Sequence, residues 1–245
     1  MEYVALRDHG GGVVVLSADR PPANAMDVGL LGELVEAVER LAHEVPRALV
    51  LTGRPGFFSA GADLKAVPGY GPEQQRAMIT GINRMALGVY DLPCPVVGAI
   101  TGHAIAGGLV LALCTDARVA SSEGRYGLTE VKVGVPYPQA AIGVVAAELA
   151  PHSARALALG NQLIGADECL RLGVFDELAE PDRVLSRALE LAAELAAFPP
   201  EVYARTKREL RHAASARMRA AAAEDPLLAR WIDDDRAPER EPTRA

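Results

Sequence analysis

Two short stretches of small residues could do chemistry with backbone alone. The first is Ser59-Ala60-Gly61-Ala62, inside the run Phe57 to Lys65. So little side-chain bulk lets its N–H groups face a ligand. The second is His103-Ala104-Ile105-Ala106-Gly107-Gly108, which leads into the apolar run Leu109 to Leu113. Glycines that open a helix leave free N–H groups at the positive end of its dipole. One N–H from each turn, converging on a carbonyl oxygen, would make an oxyanion hole that stabilises charge where it develops in a transition state. Gly107-Gly108 also has a plainer reading, close helix packing, and the turn alone leaves both open.

Such turns need rigid elements behind them. Val13 to Leu16 reads as a strand after the turn at Gly10-Gly11-Gly12, and Ala48 to Thr52 as a buried strand just before the first small-residue stretch. Asp27 can cap a helix whose residues Leu30, Leu31, Leu34, Val35, Val38 and Leu41 share one face. Gly71-Pro72 opens a helix to about Tyr90, Pro95 to Ile100 is a strand, Gly107 to Leu113 a buried helix and Ala117 to Ala120 a short strand. Strands alternating with helices predict an α/β core. After Pro138 the pattern becomes helical: Gln139 to Ala150, Ser153 to Leu159, Asp167 to Leu172, Val184 to Ala197 and Glu201 to Ala214. The charged, proline-containing tail from Asp233 to Ala245 predicts mobility. No sequence repeat is visible, although strand–strand–helix units can repeat without one.

The chain has 245 residues, half of them hydrophobic, enough for one sizeable core. A net charge of −7 with no basic face argues against nucleic acid as a partner. The apolar stretch Ala104 to Cys114 contains two glycines and is too short to span a bilayer, and the N-terminus has no secretory signal. Cys94, Cys114 and Cys169 lack metal-ligand spacing and are odd in number, so they read as reduced thiols of a cytoplasmic protein. The five histidines also lack ligand spacing, and no metal is expected.

Both turns, with their flanking residues, resemble the crotonase superfamily, the enoyl-CoA hydratase/isomerase family. The resemblance runs over about residues 3–215. It rests on Asp19-Arg20-Pro21 with Asn24-Ala25-Met26, on Ser59 to Lys65, and on Gly102-His103-Ala104 with Gly107-Gly108. It also includes Cys114 to Arg118 and Glu130 with Gly134-Val135-Pro136. It implies an α/β spiral of ββα units, a core over residues 1–195, and a helical C-terminal region over 196–245 that builds a homotrimer or a dimer of trimers. The implied partner is an acyl-CoA thioester, with no further cofactor because CoA is part of the substrate. Ala62 and Gly107 would supply the oxyanion N–H groups. Ala23, Ala25, Ala60, Asp63, Leu64 and Lys65 fall where the family holds the CoA moiety. For Asp63 and Lys65 a solvated surface pair is the plainer reading.

Family hydratases carry two glutamates, one of them three residues after the oxyanion glycine. Here that position is Val110, while the later one is Glu130. Shifting a double bond from C3 to C2 needs one carboxylate that takes a proton at C2 and returns it at C4. The pattern with Val110 and Glu130 therefore implies an isomerase. A hydratase or other crotonase-family reaction, and a non-catalytic acyl-CoA-binding protein, remain alternatives. An apolar acyl pocket, with Val110 and Tyr137 assigned to it, is expected to raise the pKa of Glu130. By residue type alone, Glu130 would be an exposed loop residue and Tyr137 a core tyrosine. Lys207 and Arg208 read as a solvated helix face, with CoA phosphate contact as the alternative. His103 reads as structural, and Trp231 as a packing anchor or interface residue.

Overall fold

In the computed structural model, which describes residues 1–229 and Trp231, strand–strand–helix units follow one another. The first is β1 (Val4–Gly10), β2 (Val13–Ala18) and α1 (Val28–His43). The second is β3 (Ala48–Thr52), β4 (Gly56–Ser59) and α2 (Pro72–Tyr90). The third is β5 (Val96–Ile100), β6 (Gly102–Ile105) and α3 (Gly107–Leu113), and the fourth β7 (Ala117–Ser121), β8 (Tyr126–Gly127) and α4 (Glu130–Val133). The remaining elements are α5 (Gln139–Glu148), α6 (Pro151–Gly160), α7 (Ala166–Arg171), β9 (Glu177–Ala179), α8 (Val184–Ala196) and α9 (Pro200–Ala223). This is the α/β spiral of ββα units that the resemblance implied.

From the second unit on, the two strands of a unit go to different sheets. The first strand joins a six-stranded sheet in the order β1-β2-β3-β5-β7-β9, parallel except for β1 against β2. The second joins a three-stranded parallel sheet, β4-β6-β8. Every residue of β3 and β5 is buried, as a parallel sheet covered on both faces requires. On one face Val50, Val97, Ala99 and Val119 meet Val184, Ala188, Ala192 and Ala196 of α8. On the other, Leu49, Leu51, Val96 and Ile100 join the main core with α1, α2 and α3. Asp27 caps α1 as predicted, its Oδ1 accepting from the Leu30 N–H at 2.8 Å.

Several expectations need correction. The second sheet has no counterpart in the sequence reading, because its strands are two to four residues long and give too short a pattern. Glu130 does not sit in an exposed loop: it opens the single turn of α4 and is buried. Helix α9 runs nine residues past the predicted Ala214, to Ala223, its surface polar enough to hide the apolar stripe. The tail from Asp233 lies outside the described residues. Among the described residues no helix is long and apolar enough to cross a membrane. Cys94, Cys114 and Cys169 are buried free thiols, pushed up by burial to about 11, 12 and 12.

Lys207 is neither a solvated residue nor a phosphate ligand. It is buried on α9, its Nζ donating to Asp116 Oδ2 at 2.7 Å and to the Cys94 carbonyl at 3.0 Å. Arg211, one turn on, reaches Asp116 Oδ1 at 3.1 Å and lies over the Tyr90 ring at 3.9 Å. Asp116 also accepts from the Val96 N–H, so one carboxylate ties α9 to the start of β5. Removing one partner of a buried ion pair typically costs ~3–5 kcal/mol, because a charge stays buried without compensation. Asp116→Ala is expected to lower the unfolding free energy by about that amount in a urea melt. A loss below about 1 kcal/mol would mean that the two cations behave as surface groups.

Candidate active site

The two small-residue turns leave neighbouring strands of the three-stranded sheet at the same end. Strand β4 runs parallel to β6 with Gly56 opposite Gly102, Phe57 opposite His103 and Ser59 opposite Ala104. Ser59-Ala60-Gly61-Ala62 therefore emerges beside Ala106-Gly107-Gly108. Gly61 has φ +78°, and a Cβ on it would lie 2.9 Å from the Gly107 nitrogen. The packing reading of the glycine pair applies to one residue of the two. A Cβ at Gly108 would stand 2.2 Å from the Ser59 carbonyl oxygen, so Gly108 permits the close packing. A Cβ at Gly107 would meet Gly61 Cα at 3.6 Å and Ala62 N at 3.9 Å, ordinary contacts, so packing does not require glycine there.

Met26 fixes the direction of the Ala62 N–H. The Met26 N–H donates to Gly61 O at 2.7 Å, and Met26 O accepts from Asp63 N at 2.8 Å. In such a parallel bridge the residue between, Ala62, turns its own N–H away from Met26. Ala106 fixes the other donor. Its φ of +52° with ψ of −126° is costly for a residue with a Cβ, ~1–3 kcal/mol, and breaks the pairing of β6 with β8 just before Gly107. Among the described residues neither the Ala62 nor the Gly107 N–H has an acceptor. Unpaired backbone donors inside a fold are rare, and here both border one cavity.

The first turn is pinned from the N-terminal side. Fully buried Asn24 donates through Nδ2 to Ala18 O at 2.7 Å and Phe58 O at 3.2 Å, while its carbonyl accepts from Ser59 Oγ at 2.7 Å. Ser59 Oγ in turn accepts from the Gly61 N–H at 3.1 Å. Arg20 pairs with Asp27 at 2.9 Å and with Asp63 at 3.0 Å. Asp63 is thus not half of a surface pair with Lys65: it is a half-buried partner of Arg20, and its Oδ1 accepts from the Lys65 N–H. Lys65 is exposed. Ala23 and Ala25 are half-buried, and their carbonyls accept from Ala60 N and Arg20 Nη1. His103 Nδ1 accepts from the Arg125 N–H, and its ring lies against Phe57.

The cavity has a volume of about 80 Å³ and an apolar wall. One water needs ~10–15 Å³, so the space is larger than a single water requires. Tyr137, assigned to an apolar pocket, lines it, and so do Ala62 and Gly107 and, of the residues assigned to the CoA moiety, Ala60 and Leu64. Val110 is not among the lining residues: it is fully buried in the core. Sequence reasoning missed Met26, Ile82, Met85, Val135 and Ala141, whose apolar character could signal any core. Trp231 closes part of the wall, with Nε1 donating to the Pro136 carbonyl at 3.2 Å.

Glu130 is the one carboxylate among the described lining residues. Burial pushes its pKa above the ordinary carboxylate value. The Tyr137 hydroxyl and the backbone N–H groups of Glu130 and Thr129 pull the other way, more weakly. The site therefore holds two fixed donors and one raised-pKa carboxylate around an apolar space, suited to stabilising an oxyanion while moving a proton.

A family model described as enoyl-CoA hydratase/isomerase matches residues 8–237. The human mitochondrial enoyl-CoA delta isomerase 1 is 34% identical over 222 residues, covering 86% of this chain and 71% of that protein. A putative enoyl-CoA hydratase of Thermus thermophilus is 35% identical over 204 residues, covering 82% of this chain and 80% of that one. The crystal structure of an enoyl-CoA hydratase from Mycobacterium ulcerans superposes with a TM-score of 0.86 at 30% identity, covering 92% of this chain and 98% of that one.

The division of labour between the two glycines is open to measurement. Gly108→Ala is expected to lose about 1–3 kcal/mol of stability through overpacking against Ser59. Gly107→Ala should stay within about 0.5 kcal/mol of the parent. Equal melting curves for the two variants would remove the steric role assigned to Gly108.

Proposed function

We propose the reaction from one premise: this chain belongs to the enoyl-CoA hydratase/isomerase family. Within it, the protein shifts the double bond of a 3-enoyl-CoA to the 2-position. The thioester carbonyl oxygen accepts from the Ala62 and Gly107 N–H groups. Glu130 takes a proton from C2, and the C–H electron pair moves into the carbonyl as the enolate forms. The electrons then return, the double bond settles between C2 and C3, and the proton carried by Glu130 goes to C4. Proton transfer within one apolar cavity keeps that proton from exchanging into water.

The observation that carries this reading is the single carboxylate on the described cavity wall. Addition of water is helped by two groups that hold and activate it, whereas a shuttle between C2 and C4 needs one. Ala62 and Gly107, with unpaired N–H groups at the same cavity, support the enolate step. The raised pKa of Glu130 supports the proton transfers, since an acid that must both accept and return a proton works best near the ambient pH. A similarity of 34% to an enoyl-CoA delta isomerase agrees with this reaction.

A second reading is hydration of a 2-enoyl-CoA. Its support is a second protic group, the Tyr137 hydroxyl, on the same wall, together with the similarity to proteins named as hydratases.

Purified protein offered a 3-enoyl-CoA is expected to produce the conjugated 2-enoyl-CoA, followed by the thioester absorbance. With a 2-enoyl-CoA in water it should form no 3-hydroxyacyl product. Glu130→Gln should lower isomerisation by about 10²–10⁴-fold, the usual worth of a general base. Hydration of the 2-enoyl-CoA, lost in Glu130→Gln, would overturn the isomerase reading in favour of the hydratase.

A further inference from the structure

Two buried polar atoms on the cavity wall have no formed hydrogen bond: Oε2 of Glu130 and the hydroxyl oxygen of Tyr137. Burying either without a partner is costly, so each such atom in a fold calls for an explanation. The two explain each other. They belong to residues that line the same cavity, at the start of α4 and in the segment just after it. The phenol is near enough to act on the carboxyl, although the pair falls short of the geometry of a formed hydrogen bond.

We propose that Tyr137 is the positioning residue of Glu130: its phenol donates to Oε2, fixes the plane of the carboxylate, and leaves the other oxygen to meet the substrate. This rests on Glu130 being the base of the proposed reaction. Tyr137 keeps its proton for this purpose, because burial and the facing carboxylate both push its pKa up. Among the described residues, the other groups that act on the carboxyl are the backbone N–H groups of Glu130 and Thr129. Toward the cavity α2 presents Ile82 and Met85, α5 presents Ala141, and the two turns present Ala62 and Gly107, none of them titratable. Among the described residues no charged side chain acts on Glu130.

The sign of the effect follows from the donor. A hydrogen bond to the ionised carboxylate favours that form, so Tyr137 lowers the Glu130 pKa and its removal raises it. Tyr137→Phe keeps the ring and removes only the hydroxyl, so the variant should still melt as a folded protein. Infrared difference spectra over a pH titration would follow the protonated carboxyl band, assigned by its loss in Glu130→Gln. Its midpoint is expected to rise by about 1–2 pH units in Tyr137→Phe, the worth of a hydrogen bond to a charged group. The acid limb of kcat/KM for 3-enoyl-CoA should move up with it. Below both midpoints the variant should then be about ten- to a hundredfold slower. An unmoved infrared midpoint, or a rate loss equal at every pH, overturns the proposal. The infrared titration needs no turnover. A shifted midpoint in a protein that fails to isomerise would retain the Tyr137–Glu130 pairing and sink the isomerase reading alone.

Discussion

The carbonyl of Ser59 leaves no room for a side chain at Gly108, where a Cβ would stand 2.2 Å from its oxygen. That contact seats the N-terminus of α3 against the turn that ends β4. With Gly61 at φ +78° on one side and Gly107 on the other, the backbones of two turns come within van der Waals range, and the N–H groups of Ala62 and Gly107 border one space. The ββα repeat makes the contact possible. Successive units place their second strands side by side in parallel, so the turns after β4 and β6 leave at the same end. Asn24, Ser59 and Arg20 then lock the first turn from the N-terminal unit.

The cost of this arrangement is visible beside the donors. Ala106 holds a strained backbone, two N–H groups lack acceptors, and Glu130 and Tyr137 carry unpaired buried oxygens. These features cluster around a single apolar cavity. Away from the cavity, buried nitrogens of Arg54 and Arg118 also lack a formed hydrogen bond, but other buried polar groups are compensated: Asp116 with Lys207, Arg211 and the Val96 N–H, and Asn83 with Asp225 and the Ala140 N–H. A low-polarity space strengthens every remaining electrostatic interaction in it, so donors fixed before the substrate arrives lose nothing to reorganisation when charge develops. The same lack of polarity raises the Glu130 pKa and makes the nearby phenol matter.

The long elements were legible because their residues repeat a period. Helix α1 showed its buried face as Leu30, Leu31, Leu34, Val35, Val38 and Leu41, and β3 and β5 showed continuous apolar runs. Strands β4, β6 and β8 were not, since two to four residues hold no period and their partners lie in other units. The small residues of the two turns were also legible as candidate donors. Charged residues were harder. Lys207 lies on a helix with many polar neighbours, and only the carboxylate brought to it from Asp116 shows that it is buried. Asp63 looked like a partner for nearby Lys65, but Arg20, far away in sequence, takes it.

By itself the sequence determined the alternation of strands and helices and the two glycine turns. It also determined that a glutamate stands at position 130 and a valine at position 110, because these depend on residue type and local spacing. Tertiary structure alone decided which N–H groups go unpaired, that Val110 stays in the core, and that Tyr137 and Glu130 line one cavity. The physical reason is that a free donor, a buried carboxyl or a neighbouring phenol is defined by what the rest of the chain does or does not bring to it. That is settled only when strands distant in sequence pair and the helices close over them.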